Sequence, residues 1–399
     1  MRILHIVDRM DPKAGGVCQA IRMIIESLKH RNVESDVVSV DDPKMKFQDD
    51  FKILAFGPAE NPWQYSKKLL PWLICNLGNY DTVIIHGLWQ YYSFATYKAL
   101  KERNGEKPSV FVMPHGMLDP YFQNAPDRKL KAIRNKIYWQ IIERHVINGC
   151  DALLFTCKTE LDLAKLPFKP YKPKIEKVIG LGIKAPPRCT TSMVNAFYDK
   201  TGLTNSDDFL LFLGRINRKK GLDLLVKAFL QLLDNIQMPK LVIAGPGIDS
   251  DFGLEIINLI KTRPEFKSHF IFPGMLTGDL KWGAFYACEA FILPSHQENF
   301  GIATVEALAC RKPVLISNQV NIHNEIVAFE AGLVEEDNLE GVLNLLSKWM
   351  IISSKNKERM TYNAEKCFKE LFQYQSIAEK IIELNNSMNE KYFEYSVEG

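Results

Sequence analysis

Two segments in the second half of the chain place charged side chains between a predicted strand and a predicted helix. The first runs from Leu213 to Leu222 and carries Arg215 and Lys220, five residues apart. A guanidinium and an ammonium group across one turn can bind the two phosphates of a diphosphate. For this segment taken alone, a solvated basic loop is the alternative interpretation.

The second segment follows the predicted strand Ala290–Leu293 and carries Glu298 and Glu306, with seven residues between them. If most of that interval is helical, at about 1.5 Å per residue it spans about 12 Å. This length suits a ligand with a polar ring at each end and a phosphate bridge between the rings. Carboxylates accept hydrogen bonds from sugar hydroxyls, but they repel a diphosphate unless basic groups such as Arg215 and Lys220 neutralise it.

The residues between the two glutamates could bind the phosphate bridge. Asn299 is predicted to cap the helix, and Gly301 leaves the backbone open. The amides of Phe300 to Thr304 would then face an anion at the positive end of the helix. The alternative is a capped surface helix with two unrelated glutamates.

Short apolar runs alternate with helical patterns through most of the chain, which is typical of parallel sheets covered by helices on both faces. The pattern pauses at residues 186–208, which are rich in Pro, Thr, Ser and Asp and are predicted to be a linker. We therefore expect an α/β protein with two doubly wound halves and a ligand cleft near the carboxyl ends of the strands. The predicted strands are Ile3–Val7, Val37–Val40, Thr82–Ile85, Val110–Met113, Ala152–Thr156, Phe209–Leu213, Lys240–Ala244, His269–Phe272, Ala290–Leu293 and Pro313–Ile316. The predicted helices include Gln19–Lys29, Phe94–Glu102, Gly221–Leu233, Phe252–Ile260 and Ile302–Ala309.

Three glycine clusters raise the question of a dinucleotide cofactor, and none fits well. The cluster at Gly15 and Gly16 lacks the G-x-G-x-x-G spacing, although its backbone could approach an anion. Two prolines follow the cluster at residues 180–185, where a helix should continue. The cluster at Gly245 has Ser250 in the place of the third glycine, so a strand-to-helix turn is preferred there. No cofactor is expected.

The composition excludes several classes of protein. The chain has 50 Lys and Arg against 47 Asp and Glu, a net charge of only +3, which gives no support for a nucleic-acid partner. Its eight cysteines contain no C-x-x-C pair and are predicted to be reduced thiols. No run is apolar enough for a membrane span, and Asp8 interrupts the apolar start of the chain. A cytoplasmic protein is therefore expected.

The motifs GRINRKKG (214–221) and ENFGIATVE (298–306) resemble those of glycosyltransferase family 4, whose signature is two glutamates separated by seven residues. Supporting matches are Gly15-Gly16, Pro114-His115-Gly116 and Ala244–Gly247, and the resemblance covers about residues 1–370. It implies the GT-B fold: an acceptor domain at 1–190, a nucleotide-sugar donor domain at 209–370, and a C-terminal helix at 371–399 that crosses back to the N-terminal domain.

The resemblance also implies roles for individual residues. Arg215 and Lys220 hold the donor's diphosphate, Glu306 binds the ribose, and Glu298 with the amides at Phe300 and Gly301 holds the donor sugar. By the same resemblance, His115 contacts the donor sugar near its reacting carbon. Further contacts with the donor are expected, from the resemblance or from position in the chain, at Gly15, Gly16, Gly245, Met275, Asn299 and Ile302. His86 is a candidate acceptor contact. A buried structural histidine is the alternative for His86 and His115.

The function implied is a retaining hexosyltransferase that needs no metal and moves a hexose from a nucleoside diphosphate sugar to a glycan or lipid-linked acceptor in polysaccharide biosynthesis. UDP-glucose is the first candidate donor and GDP-mannose the second. The departing phosphate oxygen can take the acceptor's proton, so no protein base is assigned. A sugar-nucleotide epimerase, a sugar-phosphate synthase and a non-catalytic sugar-nucleotide-binding protein remain as alternatives.

Residues 127–145 form a predicted basic amphipathic helix. Its apolar residues Leu130, Ile133, Ile137 and Ile141 follow a helical period among six Lys and Arg. Such a helix could rest on anionic lipid at the inner face of the membrane. The alternative, which the pattern alone favours, is a helix that packs through its apolar side and leaves a basic face in water.

Overall fold

The computed structural model describes residues 1–12, 15–59, 61–103, 105, 107–125 and 128–397, with side chains as far as Met388. The chain divides into two compact units. The N-terminal unit consists of Met1–Gly182 together with Tyr374–Gly399, and the C-terminal unit is Ile183–Gln373. The divisions therefore fall at 182/183 and 373/374, against the expected limits of 190 and 370.

The N-terminal unit is built on a seven-stranded sheet in which all neighbouring strands are parallel. The strand order is β3-β2-β1-β4-β5-β6-β7, so the direction of winding reverses between β1 and β4. The central strand β4 is buried along its whole length, as expected for a sheet covered on both faces. The strands are β1 (Arg2–Ile6), β2 (Glu34–Ser39), β3 (Lys52–Ala55), β4 (Thr82–His86), β5 (Ser109–Met113), β6 (Ala152–Phe155) and β7 (Glu176–Val178).

Helices connect these strands, and their apolar sides form the core of the unit with the sheet. Between α5 and α6 the chain forms one π-helical turn at Trp139–Glu143. The helices are α1 (Gly16–Lys29), α2 (Leu69–Asn76), α3 (Tyr91–Glu102), α4 (Tyr121–Asn124), α5 (Lys129–Tyr138), α6 (Arg144–Gly149) and α7 (Lys158–Ala164).

The C-terminal unit repeats this plan with six parallel strands in the order β10-β9-β8-β11-β12-β13. Winding reverses between β8 and β11, which are neighbours in the sheet. The strands are β8 (Phe209–Leu213), β9 (Lys240–Ala244), β10 (Phe270–Gly274), β11 (Ala290–Leu293), β12 (Val314–Ser317) and β13 (Gly332–Glu335). The helices are α8 (Thr191–Thr201), α9 (Leu222–Leu232), α10 (Asp251–Lys261), α11 (Gly278–Ala287), α12 (Ile302–Ala309), α13 (His323–Ala328), α14 (Leu339–Ile351) and α15 (Ser354–Leu371).

The last helix, α16 (Gln375–Val397), belongs to the N-terminal unit and packs against α1. The backbone amide of Ala378 donates to Ser27 Oγ at 3.2 Å, and Thr82 Oγ1 donates to Asn385 Oδ1 at 2.8 Å. The first half of this helix therefore helps to close the core built by the N-terminal part of the chain. In the part of the chain that the structure describes, no helix is long and apolar enough to cross a membrane.

The predicted linker at 186–208 is wrong, because α8 lies inside it. Thr190 caps this helix, its side chain accepting from the amide of Met193 at 3.3 Å, and Gly202 ends it in a left-handed conformation. Thr190, part of the Thr cluster that suggested a loop, is thus the residue that caps a helix at its start, and Gly202 caps it at its end. The sequence also missed β3, β7 and β13, whose residues are all half-exposed or exposed.

Candidate active site

The two charged segments lie side by side in the C-terminal unit, because they follow the neighbouring strands β8 and β11. The amide of His296 and the hydroxyl of Ser295 both donate to the carbonyl of Lys219, each at 2.8 Å. Gly221 has φ 65°, and a Cβ there would lie 1.9 Å from the carbonyl oxygen of Pro294. Only glycine lets the two loops come this close. Open α/β sheets bind ligands at this kind of reversal point.

Lys220 and Glu298 form an ion pair between the two loops, and less than a fifth of each side chain is exposed. Burial acts to raise the pKa of Glu298, but the ammonium groups of Lys220 and Lys219 outweigh it, so the pKa of this carboxyl is lowered. Glu298 is therefore ionised at neutral pH. The pair brings together the predicted diphosphate ligand Lys220 and the predicted sugar ligand Glu298.

A second ion pair holds Glu306, the other glutamate of the motif. Lys281 Nζ lies 2.7 Å from Glu306 Oε1. Burial raises the pKa of Glu306, and Lys281 opposes the rise. Sequence analysis missed Lys281, which lies 25 residues away on α11 and belongs to no motif.

The amino end of α12 differs from the prediction at Asn299. The residue that precedes the helix is Gly301, with φ 73° and ψ 62°, and no side chain caps the helix. The side-chain oxygen of Asn299 instead accepts from Asn321 Nδ2 at 3.3 Å. A helix leaves its first amides without intrahelical partners, so those of Ile302 to Thr304 stay available for an anion. Phe300 is buried against Phe372, with 5.7 Å between ring centroids, so its side chain is structural.

Arg215 and Arg218, three residues apart, have different surroundings. Arg218 donates to both carboxylate oxygens of Glu255, at 2.6 and 2.5 Å, and its guanidinium lies over the ring of Phe252. Arg215 is exposed and has no ion-pair or hydrogen-bond partner among the described residues. Of the two, Arg215 is thus the one whose charge is not already neutralised.

The two other donor-site predictions of this unit lie at strand ends. Gly245 follows β9 with φ 141°, and a Cβ there would lie 1.9 Å from the carbonyl oxygen of Gly214. Ser250 caps α10, which makes the glycine cluster a strand-to-helix turn. Met275 follows β10 and is mostly exposed.

In the N-terminal unit, Gly15 has φ 118° and ψ −152°, and α1 begins at Gly16. Lys13 and Ala14 of the same loop lie outside the described residues, as does Asp127 of the predicted basic helix. His86 at the end of β4 is buried, and both its ring nitrogens bond to other histidines. The prediction that its side chain contacts an acceptor therefore does not fit the structure.

His115 lies in a strained turn that follows β5. It has φ 51°, a region that non-glycine residues seldom adopt, and Gly116 has φ 78°. The buried carboxylate of Glu160 holds this turn: one oxygen accepts from the amide of Gly116 at 2.5 Å, and the other accepts from Thr156 Oγ1 and its amide. Sequence analysis missed Glu160, because its partners lie in two different loops.

A second buried carboxylate lies on the π-helical turn. Glu143 accepts from the amide of Trp89 at 2.8 Å and from Ser93 Oγ at 3.0 and 3.1 Å. Burial raises the pKa of Glu143 to about 7, and these hydrogen bonds oppose the rise. It fixes the loop that follows β4. Among the described residues, no group of three or more His, Cys, Asp or Glu could hold a metal ion.

Comparison with solved structures identifies the class of fold. The chain superposes on the crystal structure of Anabaena Alr3699/HepE in complex with UDP and glucose with a TM-score of 0.76, covering 97% of this chain and 100% of that one at 17% identity. The fold is therefore that of the GT-B glycosyltransferases.

Comparison of sequences gives a narrower result for the C-terminal unit. Residues 195–367, less than half of the chain, match the family model for glycosyl transferases group 1. The chain is 27% identical over 192 residues to the uncharacterized glycosyltransferase MJ1607 of Methanocaldococcus jannaschii, covering 47% of this chain and 46% of that protein. It is 30% identical over 181 residues to the alpha-monoglucosyldiacylglycerol synthase of Streptococcus pneumoniae, covering 43% and 40%. The chain thus spans less than half the length of these curated relatives.

Proposed function

We propose that this protein is a retaining hexosyltransferase of glycosyltransferase family 4, which transfers a hexose from a nucleoside diphosphate sugar to a glycan or lipid-linked acceptor. UDP-glucose is the first candidate donor and GDP-mannose the second. The observation that carries the proposal is the joining of the loops after β8 and β11, which brings Lys220 to Glu298 beside the amino end of α12. The match to the group 1 family model over 195–367 supports it.

The residues of this site suit the chemistry of the leaving group. Negative charge grows on the diphosphate oxygen as its bond to the anomeric carbon breaks. Arg215 and Lys220, with the free amides at Ile302–Thr304, supply fixed positive charge and donors for that oxygen. Losing one such donor typically costs about 3–4 kcal/mol of barrier. In this scheme no metal is required, and the phosphate oxygen itself takes the acceptor's proton.

The two ion pairs suggest how the rest of the donor binds. Glu298 is held ionised, and its carboxylate can accept hydrogen bonds from sugar hydroxyls once the diphosphate draws Lys220 toward itself. Glu306, held by Lys281, can accept from the ribose hydroxyls in the same way. The roles given to Gly15, Gly16, Gly245, Met275 and His115 stay predictions, and the base and sugar of the donor stay open.

A panel of nucleotides tests the donor class. We expect one nucleoside diphosphate, and its sugar, to raise the melting temperature, because a ligand that binds the native state stabilises it. The panel holds UDP, GDP, UDP-glucose and GDP-mannose, with UMP and GMP as controls that lack the second phosphate. The proposal is wrong if no diphosphate raises the melting temperature more than its monophosphate does.

Product analysis then separates the transferase from its alternatives. Incubation with the stabilising donor and no acceptor should release free hexose slowly, because water replaces the acceptor. An epimerase would return an altered sugar nucleotide, and a non-catalytic binder would return the donor unchanged. A sugar-phosphate synthase would require a phosphorylated sugar as its acceptor.

We also propose that the helical segment Arg128–His145 rests on an anionic membrane. The predicted packing of Leu130, Ile133, Ile137 and Ile141 is wrong, since all four side chains are exposed, Leu130 by 85%. The helix packs instead through residues such as Ala132, Asn135 and Tyr138. The segment carries six Lys and Arg, and its one carboxylate, Glu143, is buried, so its charge complements anionic lipid.

A further inference from the structure

Three histidines of the N-terminal unit form a continuous hydrogen-bonded row. His5 Nδ1 lies 2.9 Å from His86 Nε2, and His86 Nδ1 lies 2.9 Å from His115 Nε2. Each ring stacks on the next with 5.2 Å between centroids and 25–27° between planes. His5 and His86 are buried, whereas His115 is partly exposed.

The register of the sheet explains why the rings meet. His5 of β1 pairs with Ile84 of β4, and His86 lies two residues farther along β4. His86 pairs in turn with Met113 of β5, and His115 lies two residues beyond that strand position. Residues two apart in a strand share a face, so each histidine lies diagonally across from the next. The row therefore leads from the interior of the sheet to the strained turn at His115.

All three rings are held neutral. Burial lowers the pKa of His5 to about 3 and that of His115 to about 4, and it lowers the pKa of His86 as well. No carboxylate bonds to any of the three rings in the described residues. A neutral imidazole carries a proton on one nitrogen only. Two hydrogen bonds in series therefore leave two possible arrangements, with every proton on Nδ1 or every proton on Nε2.

The buried end of the row decides between them. His5 Nε2 is buried and has no hydrogen-bond partner. With every proton on Nε2, His5 would bury an unpaired N–H group, which is rare in proteins. With every proton on Nδ1, the unpaired atom is a lone pair, which is tolerated more often. The arrangement with every proton on Nδ1 is therefore favoured. It leaves the Nδ1 proton of His115 without a partner in the described residues, and His115 is the one ring of the row that is partly exposed.

We propose that His5 and His86 are positioning residues that fix His115 as its Nδ1–H tautomer, so that His115 presents a hydrogen-bond donor to an oxygen of a bound ligand. His5 donates to His86, and His86 donates to His115, which leaves His115 Nε2 engaged as an acceptor. The Nδ1–H group of His115 can then donate a hydrogen bond to a lone pair of the ligand oxygen, which belongs to an uncharged hydroxyl or to a phosphate. The nature of this ligand rests on the proposed function, while the tautomer does not.

The tautomers can be measured directly in the unliganded protein. In protein labelled with ¹⁵N-histidine, two-bond ¹H–¹⁵N correlation spectra distinguish a protonated ring nitrogen from one with a lone pair, and the three single variants to Asn assign the signals. We expect His5, His86 and His115 all to carry the proton on Nδ1 near neutral pH. A proton on Nε2 of His115 would overturn the proposal.

Two variants of His5 separate positioning from packing. His5→Asn keeps an N–H donor near the position of Nδ1, whereas His5→Leu fills the space without a donor. We expect His115 to keep its tautomer in His5→Asn and to become a mixture in His5→Leu. His30→Leu, which removes a histidine bonded to Tyr374 in the same unit, should leave the His115 signals unchanged. An unchanged tautomer in folded His5→Leu would overturn the proposal. If that variant fails to fold, the wild-type spectrum and His5→Asn still decide.

The same variants test the consequence for a ligand. With the donor that stabilises the protein, His5→Leu should lower kcat/KM roughly three- to tenfold, because one hydrogen bond contributes about 0.5–1.5 kcal/mol. His5→Asn should restore most of that loss, and His30→Leu should cause none. If no sugar nucleotide binds at all, the proposed function is wrong and the tautomer result stands. If the donor turns over and His5→Leu is fully active, the positioning role is wrong and the transferase stands.

Discussion

The two units place their polar groups at equivalent points of similar sheets but treat charge in opposite ways. In the C-terminal unit, the loops after β8 and β11 join Lys220 to Glu298 in an ion pair, and a second pair joins Lys281 of α11 to Glu306 of α12. In the N-terminal unit, β1, β4 and the turn after β5 carry a row of neutral histidines. The same sheet topology thus supports one charged site and one uncharged site.

The difference follows from what each site has as a partner. The ammonium groups of Lys220 and Lys219 keep the buried carboxylate of Glu298 ionised, and Lys220 can also attract an incoming phosphate. The three histidines have no carboxylate bonded to their rings among the described residues. Burial therefore keeps the rings neutral, and they can form only directional hydrogen bonds. The C-terminal unit is therefore suited to attract a diphosphate by charge, and the N-terminal unit to donate a directional hydrogen bond to a ligand oxygen.

Replacing the basic side chains Arg215 and Lys220 of the C-terminal unit should have the largest effect, which is a loss of turnover. Arg215→Ala and Lys220→Ala should each lower turnover roughly 10²- to 10³-fold, because a fixed donor to the leaving oxygen is lost. Initial rates with the stabilising donor measure this effect. Arg218→Ala is the matched control, since Arg218 is three residues away and already paired with Glu255.

The stability of these variants must be measured beside their rates. Arg215 has no partner in the described residues, so Arg215→Ala should unfold like the wild type. Lys220→Ala leaves Glu298 buried without its cation, which typically costs several kcal/mol, and adding Glu298→Gln should recover that stability without recovering turnover. Near-normal turnover in Arg215→Ala would mean that Arg215 does not stabilise the departing diphosphate.

How much of this could be predicted from sequence depends on whether the signal is local. Arg215, Lys220, Glu298 and Glu306 lie in two short motifs next to clear strands, so the sequence identified them and the sheets that carry them. Lys281 could not be found in this way, because its pairing with Glu306 depends on how α11 packs.

The histidine row was missed for a related reason. His86 and His115 were candidates, but His5 gave no signal, since it lies 81 residues from His86 and meets it only through the register of β1 and β4. The period of the segment at 128–145 likewise shows which residues share a side of the helix. It does not show which side is covered, and there the prediction for Leu130 and its neighbours was wrong.

The next largest effect should be the pH dependence of the free energy of unfolding that arises from His5 in the N-terminal unit. The pKa of His5 falls from 6.5 to about 3 on folding, so below about pH 6.5 the unfolded chain binds a proton that the native state does not. Stability therefore decreases as the pH falls. At 1.36 kcal/mol per pKa unit, His5 accounts for about 2 kcal/mol between pH 7.5 and pH 5. Urea unfolding of the wild type and of His5→Asn at the two pH values measures this difference.

The comparison must be made between variants, because Glu143 acts in the opposite direction. Its pKa is raised to about 7, so the native state binds its proton first and gains stability as the pH falls through this range. Subtracting the His5→Asn curve from the wild-type curve removes that contribution. Equal pH dependence in the two proteins would mean that His5 does not fold as a neutral base.

The smallest effect should be on membrane binding by α5 of the N-terminal unit, when its exposed apolar residues are replaced. The basic residues of α5 are expected to bind lipid, whereas those of the C-terminal unit are expected to bind the donor. Lys129, Lys131 and Lys136 lie beside Leu130 and Ile137 on α5, where no carboxylate among the described residues pairs with them. They can therefore draw the helix to anionic lipid while the apolar side chains enter the boundary of the bilayer. The double variant Leu130→Gln/Ile137→Gln should weaken sedimentation with vesicles of phosphatidylcholine and phosphatidylglycerol roughly tenfold, from the lost apolar contact. Leu254→Gln, at an exposed leucine of the C-terminal unit, is the matched control and should sediment like the wild type. If the wild type fails to sediment with these vesicles at low salt, or sediments equally with pure phosphatidylcholine, the cations of α5 do not bind anionic lipid and the segment has another role.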